Sequence, residues 1–215
     1  LLHAASSALL WRVLVALRLP GAFLAAMLFA VHPVQVETVA WVTERKNVLS
    51  MAFALASLTC WLRERGDPRP FGARAGWLGA SFLLYAMALL SKTTAVALPV
   101  AMAGIAWWRP LPAGRRAPWA TVAAIVPFFA LGAAMGLVTA WVEATHVGAN
   151  GAEFVRAPLD RLLQAAQAWW FYLRTWCWPR GLMFVYPAFG GPAWLPWVAV
   201  AGGVAAGAAA WIAAR

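Results

Sequence analysis

Charged side chains are scarce in this chain, and acidic ones are scarcer still. Charged residues make up 11% of the 215 residues, with 7 Asp and Glu against 17 Lys and Arg. A soluble domain usually has about a quarter of its residues charged, so this chain cannot cover itself with polar surface. The scarcity excludes an ordinary soluble globular domain and favours burial in a lipid bilayer.

The common local motifs of catalysis and metal binding are also missing. The chain has 2 Cys and 3 His, without the spacing of a zinc site, so we predict no metal site and no cofactor bound by this chain. A Gly-rich phosphate loop and a Gly-x-Ser-x-Gly elbow are absent. The net charge of +10 comes from arginines in short connectors, which suits membrane orientation, so we predict no nucleic-acid partner.

Apolar residues dominate what is present, at 64% of the sequence. Backbone groups in lipid must be satisfied within the chain, which favours helices. We therefore predict an all-α, polytopic membrane protein whose single transmembrane domain covers residues 1–215. Seven or eight membrane segments are expected, at residues 1–17, 22–42, 47–62, 76–90, 94–108, 119–142, 159–178 and 193–214. The amphipathic segment 159–178 either spans the bilayer or lies at its interface.

The arginine distribution predicts which connectors face the cytoplasm. One set of connectors carries Arg18, Arg63, Arg65, Arg69, Arg74, Arg109, Arg115, Arg116 and Arg180. The opposite set mixes cations with acids and carries Glu44, Arg45, Lys46, Lys92, Glu143, Glu153, Arg156, Asp160 and Arg161. Because connectors rich in Lys and Arg stay in the cytoplasm, the first set is predicted to be cytoplasmic. The second set then faces the periplasm, lumen or exterior.

Residues 32–50 form a polar block in this apolar chain. A charge at membrane depth is expensive and needs a partner, water or a function. Glu37 is interpreted either as part of a polar cavity, able to accept a proton, or as an ion-pair partner of Arg45 or Lys46, or as an interfacial carboxylate in water. His32 stands before Pro33, which kinks a helix and frees a carbonyl. This pair either opens a cavity or serves as a packing device.

Three cations on the non-cytoplasmic side are candidates for binding a phosphate. Arg45 and Lys46 are adjacent, and an arginine can bind a phosphate through two hydrogen bonds. Lys92 lies between two apolar segments with almost no connector, where a cation can reach a lipid-linked phosphate. The alternative for each is a long side chain that extends to the membrane interface.

The polar block also has an ordered motif, followed by shorter motifs later in the chain. The block contains His32-Pro33-Val34, Glu37, Val39-Ala40-Trp41 and Arg45-Lys46-Asn47-Val48-Leu49-Ser50. The later motifs are Ser91-Lys92, Leu98-Pro99, Tyr172, Trp178-Pro179 and Tyr186-Pro187. In this order, from Leu2 to about Pro187, the chain resembles bacterial membrane proteins related to the TMTC proteins, which carry transmembrane and tetratricopeptide parts.

Those proteins look like glycosyltransferases of the GT-C superfamily, similar to protein O-mannosyltransferases that use polyprenyl-phosphate mannose. The resemblance implies a GT-C-like transmembrane bundle in the bacterial inner membrane. It implies transfer of a sugar from a polyprenyl-phosphate donor to a hydroxyl acceptor, a protein, on the non-cytoplasmic face. Lys92, with Arg45 or Lys46, would bind the donor phosphate, and Glu37 and His32 would line the catalytic cavity. The use of a divalent metal stays open.

The chain departs from this family at both ends. The acidic motif of the first non-cytoplasmic loop, which supplies the presumed base, is absent, and so is the C-terminal tetratricopeptide array. We therefore expect a central piece of a longer protein, without the N-terminal helix and first loop and inactive on its own. Two other functions remain open: a transporter or flippase for a lipid-linked or anionic solute, and a non-catalytic membrane anchor for a repeat domain.

Overall fold

The computed structural model describes residues 1–66, 71–108, 118–147, 157–183, 186 and 194–213, and all secondary structure in this part of the chain is helical. The α-helices are α1 (Leu2–Ala16), α2 (Ala22–Val31), α3 (Val36–Ala40), α4 (Arg45–Gly66), α5 (Phe71–Ser91), α6 (Leu98–Trp108), α7 (Pro118–Val142), α8 (Pro158–Cys177) and α9 (Leu195–Ala213). Short 3-10 helices occupy Pro33–Gln35, Val42–Glu44 and Thr93–Ala97, and a π-helical turn occupies Glu143–Val147. Several residues named above lie outside the described residues: Arg69, Arg109, Arg115, Arg116, Glu153, Arg156 and Pro187.

The prediction of a GT-C-like bundle with seven or eight membrane helices is wrong. Within the described residues, two helices are long and apolar enough to cross a membrane, Arg74–Ser91 and Trp119–His146. A third span is obtained only if Ala22–Val31 and Pro33–Ala40, which meet at a bend of 49°, are taken together. The described chain therefore has a few apolar helices compatible with membrane association, fewer than the apolar runs of the sequence suggest.

Breaks in the helices account for part of this difference. α2 ends at Val31 because His32 has an extended backbone (φ −65°, ψ 128°) in front of Pro33, and proline disfavours a helical residue before it. α1, α2 and α6 contain 15, 10 and 11 residues. At 1.5 Å per residue these helices are about 22, 15 and 16 Å long, shorter than the roughly 30 Å hydrocarbon core.

Charged residues explain why two more of the predicted segments are not candidate spans. α4 and α8 contain 22 and 20 residues, which is long enough to cross a bilayer. Their charged residues are Arg45, Lys46, Arg63, Glu64 and Arg65 in α4, and Asp160, Arg161 and Arg174 in α8. These charges lower the mean hydropathy of both helices, so neither is among the candidate spans of the described chain.

The chain divides into two compact units, Leu1–Glu143 and Ala144–Arg215. In the first unit, α4 and α5 form an antiparallel hairpin, which two buried serines hold together. The Ser57 hydroxyl donates to the Ser81 carbonyl at 2.7 Å, and the Ser81 hydroxyl donates back to the Ser57 carbonyl at 2.8 Å. The hairpin places the beginning of α4 beside the end of α5, and this juxtaposition builds the site described below.

In the second unit, α8 packs against α9 through an indole ring. Trp170 Nε1 donates a hydrogen bond to the Ala199 carbonyl at 2.8 Å. Gly202 allows this close approach, since a Cβ atom at this position would lie 3.0 Å from Trp170 Cζ2. The absence of a side chain at Gly202 thus lets α9 approach α8 closely, as small residues often do in apolar helices.

Candidate functional site

A cavity of about 270 Å³, lined by both polar and apolar side chains, opens at one end of the first unit. The beginnings of α1 and α4 meet the ends of α2 and α5 there. Its described lining consists of His3, Ser6, Phe29, Gln35, Thr38, Asn47, Val48, Ser50, Met51, Ala54, Lys92, Thr94 and Ala95. Segments that are far apart in the sequence, 35–54 and 92–95, therefore share one cavity.

Lys92 is the one charged residue in this lining, and its backbone is firmly held. It follows the last turn of α5 with an extended backbone, φ −160° and ψ 127°. Its amide donates to the Ala88 carbonyl at 2.9 Å, and its own carbonyl accepts from the Ala95 amide at 3.2 Å. The Ser50 hydroxyl, on α4, donates to the Ala88 carbonyl at 2.9 Å. These bonds fix the point from which the lysine side chain extends.

The Lys92 ammonium is bound by an amide and not by a carboxylate. Lys92 Nζ donates to Asn47 Oδ1 at 2.5 Å, and Asn47 Nδ2 donates in turn to the Glu44 carboxylate. An ammonium has three N–H donors, and Asn47 is its one acceptor among the described residues. The amide therefore holds the lysine in place without neutralising it, and two donors remain for an anionic ligand.

Two further polar groups of the cavity belong to α1. The Ser6 side chain is 1% exposed, and its hydroxyl has no hydrogen-bond partner among the described residues. His3 Nε2 lies 3.0 Å from the Ala30 carbonyl, to which it donates a hydrogen bond. A buried hydroxyl without a partner is unfavourable. A ligand in the cavity that hydrogen-bonds Ser6 would remove this penalty.

Of the five residues predicted from the sequence, Lys92 lies in the cavity, and the other four lie outside its lining. Glu37 is half-buried on α3. His32 Nδ1 accepts the Val34 amide at 3.2 Å and so caps the 3-10 helix that follows. Arg45 is exposed, and its Nε donates a hydrogen bond to the Val42 carbonyl at 3.0 Å. Lys46, the next residue, is also exposed. The chemical roles of these four residues stay predictions.

Four polar residues of the cavity, Asn47, Ser50, His3 and Ser6, were not among the candidate site residues. Their spacing in the sequence could have identified them as neighbours, because residues three apart on a helix lie on the same face. Asn47 and Ser50 have this spacing, and so do His3 and Ser6. The pairing of Asn47 with Lys92 links residues 45 positions apart, which local spacing cannot reveal.

The described residues contain no group of three or more His, Cys, Asp and Glu arranged to hold a metal ion. Comparison with protein-family models, with characterised proteins and with solved structures gives no match to this chain. The functional assignment therefore depends on the geometry of the cavity and on the motif resemblance of residues 32–50.

Proposed function

We propose that the protein is a membrane glycosyltransferase that transfers a sugar from a polyprenyl-phosphate donor to a hydroxyl group of an acceptor protein. The observation that supports this most directly is the hydrogen bond between Asn47 and Lys92. Asn47 belongs to the polar block 32–50 and Lys92 to the later Ser91-Lys92 motif. The two motifs that resemble the TMTC-related family thus meet in one polar cavity within an apolar helical unit.

Lys92 binds the donor phosphate in this proposal. The acceptor oxygen attacks the anomeric carbon of the sugar, and the bond from that carbon to the phosphate oxygen breaks. The phosphate leaves with the electron pair, and the charge that develops on it is stabilised by the ammonium. Arg45 and Lys46, exposed immediately before Asn47, attract the anionic phosphate headgroup of the polyprenyl donor. The hydroxyl proton passes to a carboxylate base, which the resemblance assigns to the acidic motif of the first non-cytoplasmic loop, and Glu37 and His32 are assigned to the acceptor side.

The proposal places the protein in the bacterial inner membrane as a multi-pass protein with the cavity on the non-cytoplasmic face. Arg63 and Arg65, at the end of α4, and Arg74, near the beginning of α5, lie at the end of the hairpin away from Lys92. Connectors rich in arginine stay in the cytoplasm. The cavity at the opposite end then faces the periplasm.

Removal of the Lys92 charge tests the reaction. In membranes from cells that express the gene, Lys92→Met is expected to lower sugar transfer from a radiolabelled polyprenyl-phosphate donor to protein by about a hundredfold, the effect of losing one electrostatic stabiliser. Arg161→Met removes an exposed cation of α8 and is expected to transfer at the wild-type rate. Wild-type transfer in Lys92→Met would refute the phosphate role.

The same cavity also suits a transporter or flippase for a lipid-linked anionic solute, because that function needs a cation in a polar cavity too. Reconstituted protein that moves the polyprenyl-linked sugar across the bilayer without forming a glycosidic product would favour this second function over transfer. A cell phenotype that both Glu37→Gln and Lys92→Met leave unchanged would favour a membrane anchor.

A further inference from the structure

A second cavity of about 350 Å³ lies between α1 and α4, away from the Lys92 cavity. The first cavity touches α4 between Asn47 and Ala54, and the second touches it between Thr59 and Arg63. The nearest of these positions are five residues apart, or about 7.5 Å along the helix axis. The second cavity therefore belongs to the arginine-rich end of the first unit, which the proposed orientation places at the cytoplasmic leaflet.

Two arginines line this cavity, and neither has an ion-pair partner in the part of the chain that the structure describes. Arg12 of α1 and Arg63 of α4 are exposed, and neither forms an ion pair with any described residue. Glu64, the acid next to Arg63 in the sequence, is buried and pairs with Arg74 at 3.5 Å. This described carboxylate is therefore committed to Arg74, and both Arg12 and Arg63 contribute to the cavity lining.

The surroundings of the arginines are apolar and ordered. The Arg63 guanidinium lies 5.0 Å from the centre of the Trp77 ring, a cation–π contact that restricts its position. Val13 and Leu62 supply apolar walls. Trp11, also in the lining, packs edge-on against Phe23 with ring centres 5.9 Å apart. The cavity thus combines fixed positive charge with hydrocarbon surface.

This combination matches one class of ligand. Guanidinium groups bind phosphate oxygens through paired hydrogen bonds, and the apolar walls suit the hydrocarbon chains attached to a phosphate headgroup. Anionic phospholipids carry both parts and are attracted to arginines at the cytoplasmic surface. We propose that Arg12 and Arg63 bind the headgroup of an anionic phospholipid, such as phosphatidylglycerol, from the cytoplasmic leaflet. This inference relies on the proposed membrane location and is independent of sugar transfer.

Lipid titration of the purified protein in a neutral detergent tests the site. Native mass spectrometry is expected to show that dioleoylphosphatidylglycerol binds and that dioleoylphosphatidylcholine binds at least tenfold more weakly. Each arginine near an anionic lipid contributes about fivefold to affinity. Arg12→Gln should therefore weaken phosphatidylglycerol binding about fivefold, and Arg12→Gln with Arg63→Gln about twenty-fivefold. Arg18→Gln, an exposed cation outside the cavity, removes the same charge and should leave the affinity within twofold of wild type.

Several results would overturn the proposal: equal binding of the two lipids, wild-type affinity in the double variant, or an equal loss in Arg18→Gln. Displacement of the lipid by inorganic phosphate at the same concentration would identify free phosphate as the ligand and would also overturn it. Arg12→Gln changes an exposed side chain outside the core, so this variant keeps the test valid if the double variant fails to fold. Sugar transfer, measured separately with the Lys92 variants, shows whether the proposed reaction fails independently of lipid binding.

Discussion

At the scale of single residues, Asn47 organises the candidate site. Its amide accepts from Lys92 and donates to Glu44, so it links the ammonium to the carboxylate through a neutral group. The sequence indicated Lys92 as a phosphate ligand from its place between two apolar segments. It gave no sign of Asn47 as the partner, because the α4–α5 hairpin creates that contact.

Asn47→Leu keeps the branched shape of the side chain and removes both hydrogen bonds. We expect the free energy of unfolding to fall by about 1–2 kcal/mol, because two charged groups lose a partner. The measurement is denaturant unfolding in detergent micelles. Ser91→Ala is the control, since the Ser91 hydroxyl bonds the Met87 carbonyl of its own helix at 2.8 Å. Equal losses in the two variants would contradict the special role of Asn47.

At the scale of elements, the sequence predicted apolar helices best where charges are few and no extended residue breaks the helix, even though Pro127 lies inside α7. The predicted segments 76–90 and 119–142 correspond to the two candidate spans. The predicted segment 22–42 is broken at the extended His32 and Pro33 into two helices that meet at 49°, and it is a span only if the two are taken together. The segment 94–108 begins with a 3-10 helix, Thr93–Ala97, which leaves only the short α6. Composition identifies apolar runs, but helix length depends on local breaks that hydropathy does not register.

The contact between α5 and α7 depends on the absence of a side chain at Gly132. A Cβ atom there would lie 2.5 Å from the Tyr85 hydroxyl and 3.0 Å from Val96 Cγ2, whereas a Cβ atom at Gly136, one turn later, meets nothing within 4 Å. Gly132→Ala should therefore lower the free energy of unfolding by about 1–3 kcal/mol through overpacking. Gly136→Ala should raise it by up to about 1 kcal/mol through helix propensity.

Tyr85→Phe provides the rescue for this pair of variants. The Tyr85 hydroxyl is buried and has no hydrogen-bond partner among the described residues. Its removal should therefore cost little and should restore most of the stability lost in Gly132→Ala. Thermal or denaturant unfolding of the single and double variants measures this coupling. Additive effects of Gly132→Ala and Tyr85→Phe would show that the hydroxyl is not the obstacle.

At the scale of the whole molecule, the proposed orientation puts the Lys92 cavity on the periplasmic side of the membrane. It puts the cavity lined by Arg12 and Arg63 on the cytoplasmic side. If α5 crosses the bilayer as proposed, its ends lie on opposite sides. With Cys60 and Cys177 replaced by Ser, Thr94→Cys should react with a membrane-impermeant maleimide in cells whose outer membrane is permeabilised. Ala75→Cys should react only after the inner membrane is lysed. Both positions are exposed, so equal or reversed labelling would contradict the orientation.

The central claim is that Lys92 binds the phosphate of a polyprenyl lipid, and direct binding tests it most closely. The measurement is titration of the purified protein with a short-chain polyprenyl phosphate by native mass spectrometry, for wild type, Lys92→Met and the control Arg161→Met. Loss of a charged hydrogen bond should weaken binding by about 1.5–3 kcal/mol, or roughly 10- to 150-fold, in Lys92→Met. Arg161→Met should bind like wild type. Wild-type affinity in Lys92→Met would contradict the account.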